Sequence, residues 1–469
     1  MTQLWAHQIP AVAYGIEHKS TLLHMWMGCG KSLVALEICR QCGHKRILLL
    51  CPKSVVVVWA QEIAKHAPGK WLYAPLHGPT TAKARQLEQL LREGRPVVVG
   101  LNYEAAWREP LAKLILNTPW DCLILDESQK IKSPSSRQSR FVMRIKASHK
   151  LALTGTPMPS SPLDLYGQFR TLAPWIFGHS FVRFRRRYAL LAGPQNNWVV
   201  GFKNGPELRE KMNRITHHVP KEVLTLPPLT VSARYCTLGV EAQRIYAELE
   251  TELIADVREG VVTAANAAVK VMRLQQVCAG YARTEEGLDV EVDGSKRELL
   301  AEIIEGIDSA EPVVVFARFI HDLSTVRAVA GKLGRRHGEI SGAQNDYGAW
   351  QRGEVDVLGV QIQAGGLGID LSRARYCFFY TLMYSLGSYD QAVARLHRPG
   401  QKNPVSVYHL VAEGTVDATI RRALEKRRNV IEAILEDYAE EEIKLARTAL
   451  DAATRLSWRI PLKKEGIPQ

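Results

Sequence analysis

A short glycine-rich stretch near the amino terminus has residue types that can hold a polyphosphate. Residues 24–32 read H-M-W-M-G-C-G-K-S. Backbone amides of Gly28, Cys29 and Gly30 can approach phosphate oxygens, because glycine adopts the backbone angles that such a loop requires. Lys31 would place a cation against the β- and γ-phosphates, and Ser32 would offer a hydroxyl to Mg²⁺. The stretch therefore predicts a phosphate-binding loop.

The match to the phosphate-loop pattern G-x-x-x-x-G-K-[ST] is incomplete, because Met25 stands where the first glycine belongs. A Gly-Lys-Ser run also occurs by chance in surface turns. Residues 33–40 nevertheless have helical spacing, and the positive end of such a helix would face the same anion. The interpretation depends on whether the rest of the chain supplies an ATPase.

A pair of carboxylates follows an apolar run about a hundred residues later. Residues 122–125 continue directly into Asp126 and Glu127, which would lie at the carboxyl end of a buried strand, where parallel sheets bind ligands. Asp126 could hold Mg²⁺, and Glu127 could orient or deprotonate an attacking water molecule. Alone, such a pair is usually a solvated strand end. Here it precedes another short strand with terminal hydroxyls, L-A-L-T-G-T-P at 151–157.

Apolar runs alternate with segments of helical periodicity around these residues. Buried strands are predicted at residues 47–52, 97–102, 122–125 and 151–157. Residues 55–66, V-V-V-V-W-A-Q-E-I-A-K-H, begin like a strand and become helical. The alternation is typical of an α/β fold in which a parallel sheet is covered on both faces.

The chain resembles the first RecA-like lobe of superfamily 2 helicases in five segments with matching order and spacing: Gln8, G-C-G-K-S, C-P-K-S, D-E-S-Q and L-T-G-T-P. The resemblance implies ATP binding with Mg²⁺, and the amide of Gln8 could read the adenine. Two departures are present. Met25-Trp26 replaces an acidic pair common before the loop, and Gln129 replaces the usual histidine of the DEAH-type box.

Two arginines give the second half its chemistry. Residues 363–371, Q-A-G-G-L-G-I-D-L, are followed at 388–402 by S-Y-D-Q-A-V-A-R-L-H-R-P-G-Q-K. If residues 391–398 are helical, Gln391, Arg395 and Arg398 share one face. Arginines so placed can reach a transferring γ-phosphate from across a cleft and stabilise charge that develops in the transition state. The alternative is an amphipathic helix with solvated arginines.

These two segments resemble motifs V and VI of the Swi/Snf-like branch of superfamily 2, including short bacterial and viral versions. The resemblance implies that Arg395 and Arg398 are arginine fingers and that Gln391 contacts the nucleotide. Asp370 stands where asparagine is more usual. Weaker similarities to the branch's helical protrusions and bracing helix occur at 221–228, 273–281 and 415–431.

The resemblance predicts an α/β protein with two RecA-like lobes, parallel sheets and a helical insertion between them. The predicted parts are a first lobe at 1–160, a helical insertion and linker at 161–295, a second lobe at 296–412, and a bracing helix with a carboxyl-terminal tail at 413–469. Within the insertion, helices are expected at 162–172, 207–215, 241–260 and 264–279, and a loop at 284–295.

The charge balance favours a polyanionic partner. Lys and Arg outnumber Asp and Glu by 61 to 48, which gives a net charge of +13. The basic run R-F-R-R-R at 183–187 could follow a phosphate backbone or form a solvated helix face. No apolar run is long enough to span a membrane, so a soluble, cytoplasmic protein is expected.

The eight cysteines are scattered and predict no disulfide framework. Cys39 and Cys42, with His44 nearby, could suggest zinc, but no second pair with ligand spacing follows. A helix with its carboxyl-terminal turn is the simpler interpretation. The adjacent His217 and His218 are equally isolated and predict no metal site.

Three functions fit the sequence. The first is an ATP-driven motor that moves on double-stranded DNA without separating it. The second is a strand-separating helicase on DNA or RNA, which would normally need a wedge or an extra domain, and neither is identified in the sequence. The third is an ATP-gated nucleic-acid clamp. The motif VI resemblance favours the first over the second and hardly separates the first from the third.

Overall fold

The computed structural model describes residues 2–192, 198–258, 264–284, 287–363, 369–429 and 431. Two compact units meet in the chain between Thr225 and Leu226, and the described residue Ile431 belongs to the first of them. Residues 364–368 of the glycine-rich motif V segment and residues 450–469 lie outside the described residues.

A parallel sheet forms the centre of the first unit. The strands described in this unit are β1 (Ser20–Met25), β2 (Arg46–Cys51), β3 (Leu72–Pro75), β4 (Val97–Asn102), β5 (Trp120–Asp126), β6 (Ala147–Thr154), β7 (Ala189–Ala192), β8 (Trp198–Phe202) and β9 (Thr216–Val219). Seven of them pair in the order β3-β4-β2-β5-β6-β1-β9, all parallel. Strands β7 and β8 form a separate antiparallel hairpin.

Helices of the first unit connect these strands. They are α1 (Gln8–Glu17), α2 (Lys31–Gln41), α3 (Val56–His66), α4 (Thr80–Glu93), α5 (Tyr103–Ala106), α6 (Leu111–Asn117), α7 (Arg137–Val142), α8 (Leu165–Leu172), α9 (Pro174–Phe177), α10 (Phe181–Tyr188) and α11 (Gly205–Asn213). Strands β1 and β2 are each buried at five of six positions, as expected where helices cover both faces of a sheet.

The strand-like start predicted at 55–66 is wrong. A 3₁₀ turn occupies Lys53–Val55, and α3 begins at Val56. Trp59 and Ile63, one helical turn apart, are the buried residues of this helix, whereas Val57 is exposed. Burial at i and i+4 therefore overrides the β-propensity of the valine run.

The second unit is built on its own parallel sheet. Its strands are β10 (Leu229–Cys236), β11 (Tyr281–Arg283), β12 (Asp289–Glu291), β13 (Val313–Ala317), β14 (His337–Ile340), β15 (Val357–Gln361), β16 (Tyr376–Phe379) and β17 (Val405–Ala412). Six pair in the order β10-β17-β16-β13-β15-β14, all parallel. Its helices are α12 (Val240–Arg258), α13 (Ala264–Cys278), α14 (Ser295–Glu305), α15 (Ile320–Lys332), α16 (Tyr347–Gln351), α17 (Leu386–Val393) and α18, over residues 416–429.

The fold-class prediction of an α/β protein with two parallel-sheet units is confirmed. The segment 161–295 differs from a purely helical insertion. Its predicted helices correspond to α8, α11, α12 and α13, but it also supplies β9 to the first sheet and β10 to the second. The predicted loop at 284–295 contains β12, which pairs with β11. The four domain boundaries remain a prediction.

Among the described helices, none combines the length and the apolar character needed to cross a membrane.

Candidate active site

The glycine-rich stretch leaves β1 and enters α2 through two glycines in the left-handed region. Gly28 has φ of 88° and Gly30 has φ of 76°. A Cβ atom at Gly30 would also overlap the side-chain amide of Gln8. The left-handed backbone angle therefore favours glycine at position 30, and the Gln8 amide occupies the space that a side chain would take. Helix α2 begins at Lys31, so its free amides open toward the loop.

Gln8 lies against this loop and is almost fully buried. Its Nε2 atom donates to the Cys29 carbonyl at 3.0 Å, and its Oε1 atom accepts from the Trp5 amide at 2.9 Å. The His7 ring also contacts the Cys29 carbonyl, at 3.1 Å. Cys29 therefore binds Gln8 and His7 through its backbone carbonyl. Its thiol is buried, and burial raises the pKa of that thiol to about 12.

The Lys31 side chain folds back over the loop. Its ammonium donates to the Met25 carbonyl at 3.1 Å and is half-buried. Ser32, the next residue, is also half-buried, in the first turn of α2. Two of the predicted phosphate and Mg²⁺ contacts thus lie at the start of one helix.

Asp126 ends β5 in a buried setting. Its Oδ2 atom accepts from the indole of Trp59 at 2.8 Å, and its Oδ1 atom accepts from the Glu127 amide at 3.0 Å. Burial, together with the neighbouring Glu127 carboxylate, raises the pKa of Asp126 to about 6, and the Lys31 ammonium opposes the shift. The Tyr103 hydroxyl donates to the Asp126 carbonyl at 2.8 Å.

Glu127 is held by a chain of hydrogen bonds to the next strand. Gln129 donates from Nε2 to the Glu127 carboxylate at 2.6 Å, and the Thr154 hydroxyl donates to Gln129 Oε1 at 2.7 Å. Glu127 itself has a φ of 50°, which is rare for a residue other than glycine and occurs often at functional sites. The ends of β5 and β6 are therefore linked through the residue that departs from the DEAH-type box.

The residues that resemble motif VI, 388–402, are all described and lie in the second unit. Arg398 approaches Asp370, with 3.8 Å between Nε and Oδ2, and its Nη1 atom lies 3.5 Å from the Ile369 carbonyl. The Arg395 carbonyl accepts from the Leu371 amide at 2.9 Å. Arg395 is thus joined through its backbone to the segment that follows the glycine-rich run, whereas the Arg398 side chain makes only long contacts with that segment.

A helix spanning residues 391–398 is not formed. Helix α17 ends at Val393, and looser turns carry the chain to Arg398. Pro399 follows, and the residue before a proline is disfavoured in the helical region. Gln391, Arg395 and Arg398 therefore do not lie on one face of a continuous helix, contrary to the prediction from the sequence.

The structure gathers the predicted residues in two groups. Gln8, the loop, Asp126 and Glu127 lie at the carboxyl edge of the first sheet, because β1 and β5 end on the same side. Gln391, Arg395 and Arg398 lie in the second unit. Sequence reasoning missed Trp59 and Tyr103, which hold Asp126, and the only signal for Trp59 was its place in a valine-rich run.

Two family models match the chain. The SNF2-related domain matches residues 7–281, and the helicase conserved C-terminal domain matches residues 295–400. YwqA of Bacillus subtilis, provisionally named an ATP-dependent helicase/translocase, is 25% identical over 87% of this chain and 46% of its own length. The DNA repair and recombination protein RDH54 of Saccharomyces cerevisiae is 24% identical over 84% of this chain and 49% of its own.

The chain spans less than half the length of these two curated relatives. Among solved structures, the SWI2/SNF2 ATPase core of Sulfolobus solfataricus in complex with dsDNA is 21% identical, covers 95% of both chains and gives a TM-score of 0.44. The resemblance inferred from the motifs is confirmed by the family models. The chain belongs to the SNF2-related family.

Proposed function

We propose that the chain is an ATP-dependent translocase that moves on double-stranded DNA and remodels DNA or protein–DNA complexes without separating the strands. The observation that carries the ATPase part is the arrangement of Lys31, Asp126 and Glu127 at one sheet edge, with Gln8 bonded to the loop. Lys31 supplies a cation that can bind phosphate, Asp126 a buried carboxylate, and Glu127 a base whose position is fixed by a hydrogen bond. Family membership and the names of the curated relatives support it.

The residues present fit a Mg²⁺ ion that accompanies ATP. Asp126 offers a carboxylate fixed by two donors, and Ser32 offers a hydroxyl beside the loop, which are the oxygen ligands that Mg²⁺ takes. When bound, Mg²⁺ neutralises charge on the phosphates. Lys31 would bind the β- and γ-phosphates, and Glu127 would orient the attacking water and accept its proton.

The raised pKa of Asp126 predicts a pH-dependent requirement for Mg²⁺. Protons and Mg²⁺ compete for this carboxylate, which is ionised above a pKa of about 6 and neutral below it. We expect the Mg²⁺ concentration at half-maximal ATPase activity to rise as pH falls through about 6, by roughly tenfold per pH unit where the carboxyl is mostly protonated.

Trp59→Phe provides a sharper version of this experiment. The substitution removes a hydrogen bond that favours the ionised Asp126 carboxylate, which raises the pKa of Asp126. The rise in the Mg²⁺ requirement should therefore begin at a higher pH than in the unmodified chain. Trp71→Phe is the matched control, because that buried indole donates to the His44 carbonyl instead. A Mg²⁺ requirement that is flat between pH 5 and 8, or unchanged in Trp59→Phe, would contradict Asp126 as the ligand.

A basic helix face supports nucleic acid as the polymer along which the protein moves. In α10, Phe184 and Tyr188 are buried in an aromatic cluster, and this contact orients the helix. Arg183 and Arg186 are exposed and have no ion-pair partner among the described residues, whereas Arg187 is bonded to Glu207 at 2.8 Å. The names of the relatives RDH54 and mouse chromodomain-helicase-DNA-binding protein 1-like point to DNA.

We expect DNA affinity to fall steeply with salt and to depend little on sequence. If Arg183 and Arg186 each bind a phosphate, Arg183→Ala with Arg186→Ala should reduce the log–log salt slope by about 2. Fluorescence anisotropy over a salt series measures this slope. Arg92→Ala, an exposed arginine of α4, is the control. An unchanged slope in the double variant would remove α10 from the DNA contact.

ATPase rates with duplex DNA, single-stranded DNA and RNA, measured side by side, test the function itself. A translocase of the proposed kind is stimulated most by duplex DNA, displaces the third strand of a triplex and unwinds a forked duplex poorly. Opening a duplex must overcome about 1.4 kcal/mol of stacking per base step. Efficient fork unwinding, or greater stimulation by RNA, would identify a strand-separating helicase. ATPase activity without triplex displacement would identify an ATP-gated clamp.

A further inference from the structure

Three side chains that the proposed active site does not use meet at the amino ends of strands in the first sheet, opposite the carboxyl ends where that site lies. Cys42 follows the last residue of α2, His44 lies in the connection to β2, and His149 is near the start of β6. One potential ligand atom from each lies within 4.8 Å of the others. His44 and His149 are 105 residues apart in the chain, so sequence spacing alone could not group them.

The separation of the two rings fits a tetrahedral metal ion. His44 Nε2 and His149 Nδ1 are 3.2 Å apart. Metal–nitrogen bonds of about 2.0–2.1 Å at the tetrahedral angle place two ligand nitrogens about 3.3–3.4 Å apart. The corresponding nitrogen–sulfur separation is about 3.6 Å. The Cys42 Sγ atom lies within 4.8 Å of a ring nitrogen of each histidine.

The surroundings fix His149 in the tautomer that a ligand requires. Its Nε2 atom lies 2.7 Å from the Gly15 carbonyl and 3.0 Å from the His18 carbonyl. Carbonyl oxygens only accept, so Nε2 carries the proton and Nδ1 presents a lone pair toward His44. Metal-binding histidines usually have such a second hydrogen bond, which orients the ring.

We propose that Cys42, His44 and His149 form a binding site for a transition-metal ion of the zinc type, with a fourth position open to water. A thiolate and two imidazoles select such ions over Mg²⁺ or Ca²⁺. On binding, the Cys42 thiol releases its proton to solvent, and the His44 proton moves from Nε2 to Nδ1 through solvent. The ion would join the end of α2, whose other end forms the phosphate loop, to β6.

Titration of the full chain with Co²⁺, without nucleotide, tests this site. We expect one Co²⁺ per chain with the intense visible bands of tetrahedral coordination and a near-ultraviolet band from thiolate-to-cobalt charge transfer, both abolished by adding Zn²⁺. Co²⁺ bound to the phosphate loop and Asp126 would have oxygen ligands and no thiolate band. The optical readout therefore distinguishes the two sites and is independent of ATP hydrolysis.

Single substitutions at the half-buried positions identify the ligands. Cys42→Ser should remove the charge-transfer band, and His44→Gln should weaken binding by at least the roughly 10- to 100-fold that loss of a supporting hydrogen bond costs. Cys236→Ser, at another half-buried thiol, and His77→Gln, at an exposed histidine, are matched controls that should leave the spectrum unchanged. An octahedral spectrum without the thiolate band, or a spectrum that survives both ligand substitutions, would overturn the proposal.

Discussion

Glu127→Gln is expected to stop ATP hydrolysis and leave ATP bound. The substitution keeps the size of the side chain and an oxygen that can accept from Gln129, so the bond now 2.6 Å long can be retained. It removes the carboxylate that would accept a proton from the attacking water. Loss of a general base typically costs about 10²–10⁴-fold in rate. A long-lived ATP complex should therefore accumulate.

Filter binding of labelled ATP and single-turnover hydrolysis measure the two steps separately. Lys31→Ala is the contrasting variant, because it removes the ammonium group proposed to bind the ATP phosphates and should weaken ATP binding as well as hydrolysis. Glu104→Gln is a control carboxylate, bonded to Asn102 at the end of β4. Undiminished turnover in Glu127→Gln, with ATP affinity equal to that of the unmodified chain, would rule out Glu127 as the base.

Residue types and local spacing were sufficient to predict the strands around the glycine-rich loop and the glycine-dependent turn within it. Gly28 and Gly30 have the positive φ angles that the loop interpretation needs, and the acidic pair follows a buried strand. Both features are local: a strand, a turn and a helix start lie within a few residues of each other. Patterns of this range are what a single sequence records best.

Contacts between distant segments could not be predicted in the same way. Trp59 and Asp126 are 67 residues apart, and the indole that holds the carboxylate lies in a run whose valines suggested a strand. Gln129 looked like a mere departure from the DEAH-type box, yet its amide joins Glu127 to Thr154 because β5 and β6 are neighbours. Only the strand order reveals that relation.

Strand β9 shows the same limit in the fold. Its residues T-H-H-V contain two adjacent histidines, which lack the alternation of a half-buried strand, and all four are buried beside β1. Burial lowers the pKa of His217 to about 4 and that of His218 to about 3, so both rings stay neutral and pack as core residues. The residue types of this segment alone did not predict a buried strand, because the burial results from pairing with the distant strand β1.

Arg398→Ala is expected to reduce the rate of ATP hydrolysis far more than the affinity for ATP. On the proposed function this arginine stabilises charge that develops only when the γ-phosphate is transferred, and removal of such a group costs on the order of a thousandfold or more in kcat. In the second unit its guanidinium is held only loosely, 3.8 Å from Asp370 and partly exposed. The side chain is therefore free to bind a different anion without breaking a buried ion pair.

Asp370→Asn separates this role from a structural one. If Asp370 merely orients Arg398, its replacement removes a charge from the 3.8 Å contact and should change kcat by much less than Arg398→Ala does. Arg352→Ala is the control, because this exposed arginine pairs only with its neighbour Glu354 among the described residues. Steady-state kinetics supply kcat, and nucleotide titration supplies the affinity. Equal losses of rate and affinity in Arg398→Ala would mean that the arginine binds ATP in the ground state and stabilises no transition state.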